Sequence, residues 1–155
     1  DASKGLAEGV LGSYTTIFDT TEARATNVIL SASRINGLVI PAGGRFSYST
    51  SVGTRTTANG YVEAPIYVSG KHSTGTGGGI CQVSSTLYAA MVVADIPAAS
   101  HYLHSLPVDY VPRGLDAAIV EGYKDLSFIN PYSYPIMLQT SSDNGVLTVS
   151  ILKAG

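Results

Sequence analysis

The chain has 155 residues, 45% of them hydrophobic and only 13% charged, which excludes a disordered segment and fits one domain with a real core. Its net charge of −2 and isoelectric point near 5.8 argue against a nucleic-acid or anionic-membrane surface, since both need clustered Lys and Arg. There is no run of about 18 apolar residues to span a bilayer, and one cysteine makes neither an internal disulfide nor a cysteine zinc site.

The opening Asp1-Ala2-Ser3-Lys4-Gly5 has neither the apolar stretch nor the basic start of a signal peptide, so residues 1–12 read as leader or linker and 13–155 as a single domain. A short strand is expected over 14–18. Asp19 and Glu22 have capping-box spacing for a first helix over about 20–36, with Ala25, Val28, Ile29, Ala32 and Ile35 on its apolar face. Asn36-Gly37 supplies a left-handed stop. Strands follow over 38–40 and 45–50, around a Pro41-Ala42-Gly43-Gly44 turn. Asn59-Gly60 signals a tight turn, and a strand over 66–68 opens a hairpin that delivers the chain to Gly77-Gly78-Gly79.

A central helix is expected over about 81–94, with Val83, Leu87, Ala90, Met91 and Ala94 as its buried stripe and Asp95-Ile96-Pro97 as its stop. Cys81, Ser84, Ser85 and Tyr88 share an adjacent, more polar face that would look into a groove. The pattern then turns to β, with strands expected over 106–111, 117–120, 126–129, 136–139 and 147–151. This reads as an α+β fold: two main helices packed on a mostly antiparallel sheet, with Cys81 at the N-terminus of the central helix.

Chemistry concentrates where the glycines meet the cysteine. Glycines let backbone approach a ligand closely, and a helix start offers unpaired N–H groups and a dipole that lowers a thiol pKa. Cys81 is therefore a candidate nucleophile, and the N–H groups of Cys81 and Gln82, with the Gln82 side chain, are candidate oxyanion donors. A lone cysteine is also a common inert core residue. His104, placed just before an expected strand, is a candidate base, and Asp109 or Asp116 would orient it. Arg55 and Glu63 stand out in a charge-poor chain, either as site residues or as a surface ion pair. His101 and His104 lack the pattern of a metal site, the glycine run lacks the Lys-Ser/Thr of a phosphate loop, and no cofactor is expected. Richness in Ser, Thr, Gly and Tyr with few Lys suggests an extracytoplasmic protein.

The blocks Val52-Gly53-x-Arg55-Thr56, Asn59-Gly60-Tyr61-x-Glu63-Ala64-Pro65, Gly77 through Tyr88 (GGGICQVSSTLY), His104-Ser105-Leu106-Pro107-Val108 and Asp116-Ala117 resemble the VanW family, as do Asp125-Leu126-x-Phe128 and Tyr134-Pro135-Ile136. The family commonly reads Pro-Gly-Arg-Asp where this chain has Arg113-Gly114-Leu115-Asp116, so an arginine role there does not carry over. The resemblance implies an extracytoplasmic module of the bacterial cell envelope, anchored or secreted in a longer protein, that meets peptidoglycan stem peptides. It implies an L,D-transpeptidase in which Cys81 forms a thioester on a tetrapeptide stem, with His104 as base and Asp116 as third member. Gln82, Gly79, Ser84 and Ser85 would hold the oxyanion or position the group. Arg55, Glu63, Gly77, Gly78, Tyr88 and Tyr110 would bind substrate. Two other functions compete: the same chemistry with water as acceptor, and a non-catalytic wall- or glycopeptide-binding module that uses the tyrosines for stacking.

Overall fold

The structure, a computed structural model, describes residues 9–68, 71–104, 108–120 and 122–154. In chain order its elements are β1 (Val10–Ile17), α1 (Arg24–Ile35), β2 (Val39–Ile40), β3 (Arg45–Ser47), α2 (Tyr48–Val52), β4 (Glu63–Val68) and β5 (Lys71–Thr76). After these come α3 (Ile80–Val93), β6 (Ala98–Ser100), β7 (Ser127–Ile129), β8 (Ile136–Ser141) and β9 (Val146–Lys153). The fold is α+β, and every strand pairing among the described residues is antiparallel. No helix among the described residues is long and apolar enough to cross a membrane.

The main sheet has the order β1-β9-β8-β2, and the core lies on one of its faces. In β9, Leu147, Val149 and Ile151 are fully buried while their neighbours are half-buried or exposed, the period-two pattern of a sheet with one covered face. α1 turns Ala25, Val28, Ala32 and Ile35 inward and packs on β8, and α3 lies across β1 and β9. A close approach makes that crossing possible. A Cβ on Gly12 of β1 would stand 2.4 Å from the Ala90 carbonyl oxygen and 2.8 Å from the Cβ of Ala94, so only glycine lets strand and helix touch there. A second sheet, β3-β7-β6, is joined across its strands by Phe46 and Phe128, stacked at 5.2 Å. β4 and β5 form a separate hairpin leading into the glycine turn.

Several expectations are corrected. Residues 10–12 belong to β1, paired with β9, and not to a leader. α1 starts at Arg24 because Asp19 Oδ1 accepts hydrogen bonds from the backbone and hydroxyl of Thr21, closing a local turn; Ala23 occupies the N-cap without a side-chain bond. The strand expected over 45–50 stops at Ser47. There Ser47 Oγ accepts the Thr50 N–H and Asp125 accepts the Ser49 N–H, so the chain turns into α2.

Residues 108–111 and 117–120 form no strand beyond one bridge between Val120 and Lys124; residues 106 and 107 of the first expected strand lie outside the described residues. α3 is also buried almost all round. Of the face expected to look into a groove, Ser84 and Ser85 are as buried as Val83 and Leu87, while Cys81 and Tyr88 are half-buried; Gln82 and Thr86 are also fully buried.

Gly12→Ala should push α3 off β1 and destabilise the protein by about 1–3 kcal/mol, read as a lower urea midpoint with an unchanged slope. An unchanged midpoint would mean that the strand–helix approach is looser than described.

Candidate active site

The glycine turn is shaped by protein atoms on both sides. Gly77 and Gly79 have φ values of +96° and +108°, in the left-handed region that glycine tolerates best. A Cβ on Gly77 would lie 2.6 Å from Cγ of Arg55, and one on Gly79 would lie 2.9 Å from the carbonyl oxygen of Arg24. The glycines were expected to admit a ligand; the space at these two is filled by the stem of Arg55 and the start of α1.

Gly78 is fixed differently. Buried Asn27 of α1 donates through Nδ2 to the carbonyls of Gly78 (2.7 Å) and Val62 (2.9 Å), and its Oδ1 accepts the Val62 N–H at 2.9 Å. One asparagine thereby satisfies three backbone groups on two segments. Tyr48, fully buried, donates to the Ile80 carbonyl at 2.8 Å and holds the first residue of α3. Neither residue was anticipated as part of the site. Asn27 did leave a trace, an amide on the apolar face of a helix, where an unpaired polar group would be costly.

Cys81 sits in the first turn of α3, where an amide N–H has no intrahelical acceptor. Its Sγ points toward the carbonyl of Ile119 at 3.9 Å. Burial pushes the thiol up; the Ile119 contact and the charges of Arg55 and Arg24 pull it back in part, and Asp116 pushes it up again. The expected lowering of the thiol at the helix start is thus opposed by desolvation of the thiolate, which is the leading influence on it.

Gln82 does not serve as expected either. Its backbone N–H goes to Gly79 O (3.1 Å), and its fully buried side chain donates to Thr16 Oγ1 (3.0 Å) and Ile17 O (2.8 Å) of β1. Both donors are committed, so of the expected pair the Cys81 N–H remains for an oxyanion.

Ser84 and Ser85 fasten α3 to the segment that carries Asp116. Ser84 Oγ donates to Ala117 O at 2.7 Å, and Ser85 Oγ accepts the Ala117 N–H at 2.8 Å. Asp116 is 1% exposed, and its Oδ2 accepts from His104 twice, from Nδ1 at 2.8 Å and from the backbone N–H at 2.7 Å. Gly114 N–H reaches its other oxygen at 3.2 Å. Burial alone would push this carboxyl up, but the bonds from His104 and Gly114 and the imidazole charge win and hold it below the usual carboxylate range. The Nδ1 bond leaves Nε2 as the nitrogen available for proton transfer. Asp109, the other residue considered for this role, is exposed.

A second histidine braces the same residue. His101 Nε2 donates to the Asp116 carbonyl at 2.7 Å, and its ring stacks on Tyr88 at 3.8 Å with 10° between planes. Tyr88 therefore supports the histidine loop from α3. Tyr110 lies under the Arg24 guanidinium, 5.8 Å from ring centroid to Cζ, and its phenol is pushed far up by burial and the nearby Cys81, with the Ser85 hydroxyl opposing. Arg55 donates to Ser49 Oγ and Gly53 O, each at 3.0 Å. Glu63 accepts from Thr76 across the β4–β5 hairpin at 2.8 Å.

Residues 23–152 match the family described as VanW like protein. The chain is 40% identical over 142 residues to the uncharacterized protein YoaR of Bacillus subtilis, covering 91% of this chain and 47% of that protein. It is 31% identical over 115 residues to the vancomycin B-type resistance protein VanW of Enterococcus faecalis, covering 70% of this chain and 42% of that protein. The chain thus spans less than half the length of these curated relatives. No solved structure matches it.

Asp116→Asn should lower stability at pH 7 by about 1–3 kcal/mol through the weakened bonds to His104. Because the folded carboxyl titrates below its ordinary value of 3.8, wild type keeps this advantage above that pH and loses it as pH falls further, so urea midpoints of the two proteins should converge in acid. For the thiol, iodoacetamide labelling of the folded protein should rise only in alkali, with an apparent pKa above the ordinary 9.0. A labelling plateau reached at neutral pH would reverse that reading.

Proposed function

Because this chain belongs to the VanW-like family, we propose that it is an extracytoplasmic cysteine acyltransferase of the bacterial cell wall, an L,D-transpeptidase on peptidoglycan stem peptides. The observation that carries the reading is the His104–Asp116 pair: a buried carboxylate on Nδ1 orients an imidazole and leaves Nε2 to take a proton. Cys81 is directed at the same segment, since its Sγ faces Ile119 O and the residues on its helix grip Ala117.

In this reaction Cys81 attacks the carbonyl that joins the L-configured centre to the terminal D-Ala of a tetrapeptide. The thiol proton passes to His104 Nε2 as the S–C bond forms, and the Cys81 N–H at the helix start takes the oxyanion. The C–N bond then breaks, and His104 returns the proton to the departing D-Ala amine. An amine of a second stem attacks the thioester, forms the cross-link and restores the thiol. The raised thiol fits this order, because the base removes the proton during attack and no thiolate is stored beforehand.

The same burial favours a second reading, a non-catalytic wall-binding domain with an inert cysteine. Intact-protein mass after incubation with a tetrapeptide muropeptide separates the two. A thioester adduct is expected on wild type and absent from Cys81→Ala, with adduct formation slowed about 10²–10⁴-fold in His104→Ala, the range for a general base. Cross-linked dimers in the product then mean transfer and trimmed monomers mean hydrolysis. No adduct on wild type, with muropeptide still bound by Cys81→Ala, would leave the binding domain.

A further inference from the structure

Two arginines act on Cys81, and the structure uses them differently. Arg55 is held by Ser49 and Gly53, and its stem packs on the position of Gly77. Arg24 is the first residue of α1, with its backbone and Cβ against Gly79, the residue that caps α3 two positions before the thiol. Its guanidinium lies over the face of Tyr110, 5.8 Å from the centroid, and makes no hydrogen bond or ion pair among the described residues. It is half-buried, so part of its hydration is already lost. A partly desolvated guanidinium over an aromatic ring, with its donor fork unoccupied, is prepared for a planar anion.

Resting on the transpeptidase reading, we infer that Arg24 is the residue that receives the terminal carboxylate of the donor stem beside Cys81. In a tetrapeptide only an amide nitrogen and one carbon separate the scissile carbonyl from that carboxylate. A cation pairing with it must therefore lie near the nucleophile; the backbone and Cβ of Arg24 border Gly79, two residues before Cys81, and its guanidinium lies over Tyr110. Tyr110 lies beneath the guanidinium, and the Ser85 hydroxyl acts on its phenol from α3, so the ring supports the fork. The pairing selects a stem that ends in a free carboxylate one residue past the scissile bond; a stem one residue longer moves its carboxylate out of reach. Arg24 is a specificity residue in this assignment, and Tyr110 a positioning residue.

The test compares a tetrapeptide with a free C-terminus and its C-terminal amide on the Cys81→Ala protein, where no chemistry intervenes. Titration should show the free acid bound at least 10-fold tighter than the amide, with the preference gone in Cys81→Ala/Arg24→Gln and affinity for the amide unchanged. Circular dichroism and the urea midpoint check that the double variant is folded. Equal affinity for acid and amide, or a preference that survives Arg24→Gln, overturns the inference; so does the absence of binding by either peptide. Adduct formation on wild type is followed in parallel to keep the two claims apart. An adduct without acid preference removes Arg24 and keeps the enzyme, whereas acid preference without an adduct keeps Arg24 and removes the enzyme.

Discussion

The grip of α3 on the backbone of Ala117 is the constraint on which the site depends. Ser84 takes the carbonyl and Ser85 the amide, so the peptide groups on both sides of Ala117 are fixed to one helical turn. The residue before Ala117 is Asp116, and two residues after it Ile119 faces the thiol. Cys81 and the His104–Asp116 pair come from separate chain segments, and in the proposed reaction an error of about an ångström between such groups would be enough to disable it. Two short hydroxyls that bond to backbone remove that freedom more firmly than apolar packing would, because hydrogen bonds fix direction as well as distance.

The same logic explains why so polar a helix is buried. Gln82, Ser84, Ser85 and Thr86 are removed from water, and each such group is destabilising unless bonded. Thr86 returns its hydroxyl proton to Gln82 O and meets Thr16 Oγ1 at 2.9 Å, and Gln82 reaches the same threonine, so helix and strand share one network. Among the described residues Gln82 Oε1 is the one buried side-chain atom left without a partner. On the opposite side Asn27 and Tyr48 hold the glycine turn and the first helical carbonyl. The glycine turn and the helix start are thus held by hydrogen bonds with both α1 and β1, which suits the proposed role of Cys81, where position matters more than resting charge.

Much of this was legible in the residues. The alternation of Leu147, Val149 and Ile151 predicted the last strand because one face is covered and the other is not, and the breaks at Asn36-Gly37 and Asp95 ended helices where left-handed residues stand. The nucleophile, base and carboxylate candidates could be named from type and order alone. What failed were inferences that needed a partner. The segment 117–120 is apolar enough to imitate a strand, yet its backbone bonds go to Ser84 and Ser85 at Ala117, to Tyr102 at Ala118 and to Lys124 at Val120, which no local period reveals. Gln82 was assigned to the oxyanion on adjacency, but its side chain turns toward β1, 65 positions away. Asn27 and Arg24 lie on a helix that reads as scaffold, and their meaning appears only when α1 meets the glycine turn.

The electrostatics of the site then bear on how the proposed reaction would run. Burial and Asp116 raise the thiol, while Arg55 and Arg24 lower it. If Arg24 pairs with a substrate carboxylate, its pull on Cys81 is neutralised just when the substrate arrives, and the oxyanion hole has not yet acquired its charge. Substrate binding therefore moves the thiol further from ionisation, and a mechanism that relies on a stored thiolate would be weakened by its own substrate. A base that removes the proton as the new bond forms has no such penalty, because charge develops on the carbonyl oxygen at the helix start instead of on sulfur. The arrangement around His104, with its Nδ1 bonded to a carboxylate held below the usual range, suits that route: Asp116 stays ionised and steadies the imidazolium as it appears. On the proposed reading, a high resting thiol and a histidine oriented by Asp116 are two halves of one design, in which the sulfur keeps its proton until a carbonyl is in place and His104 takes it.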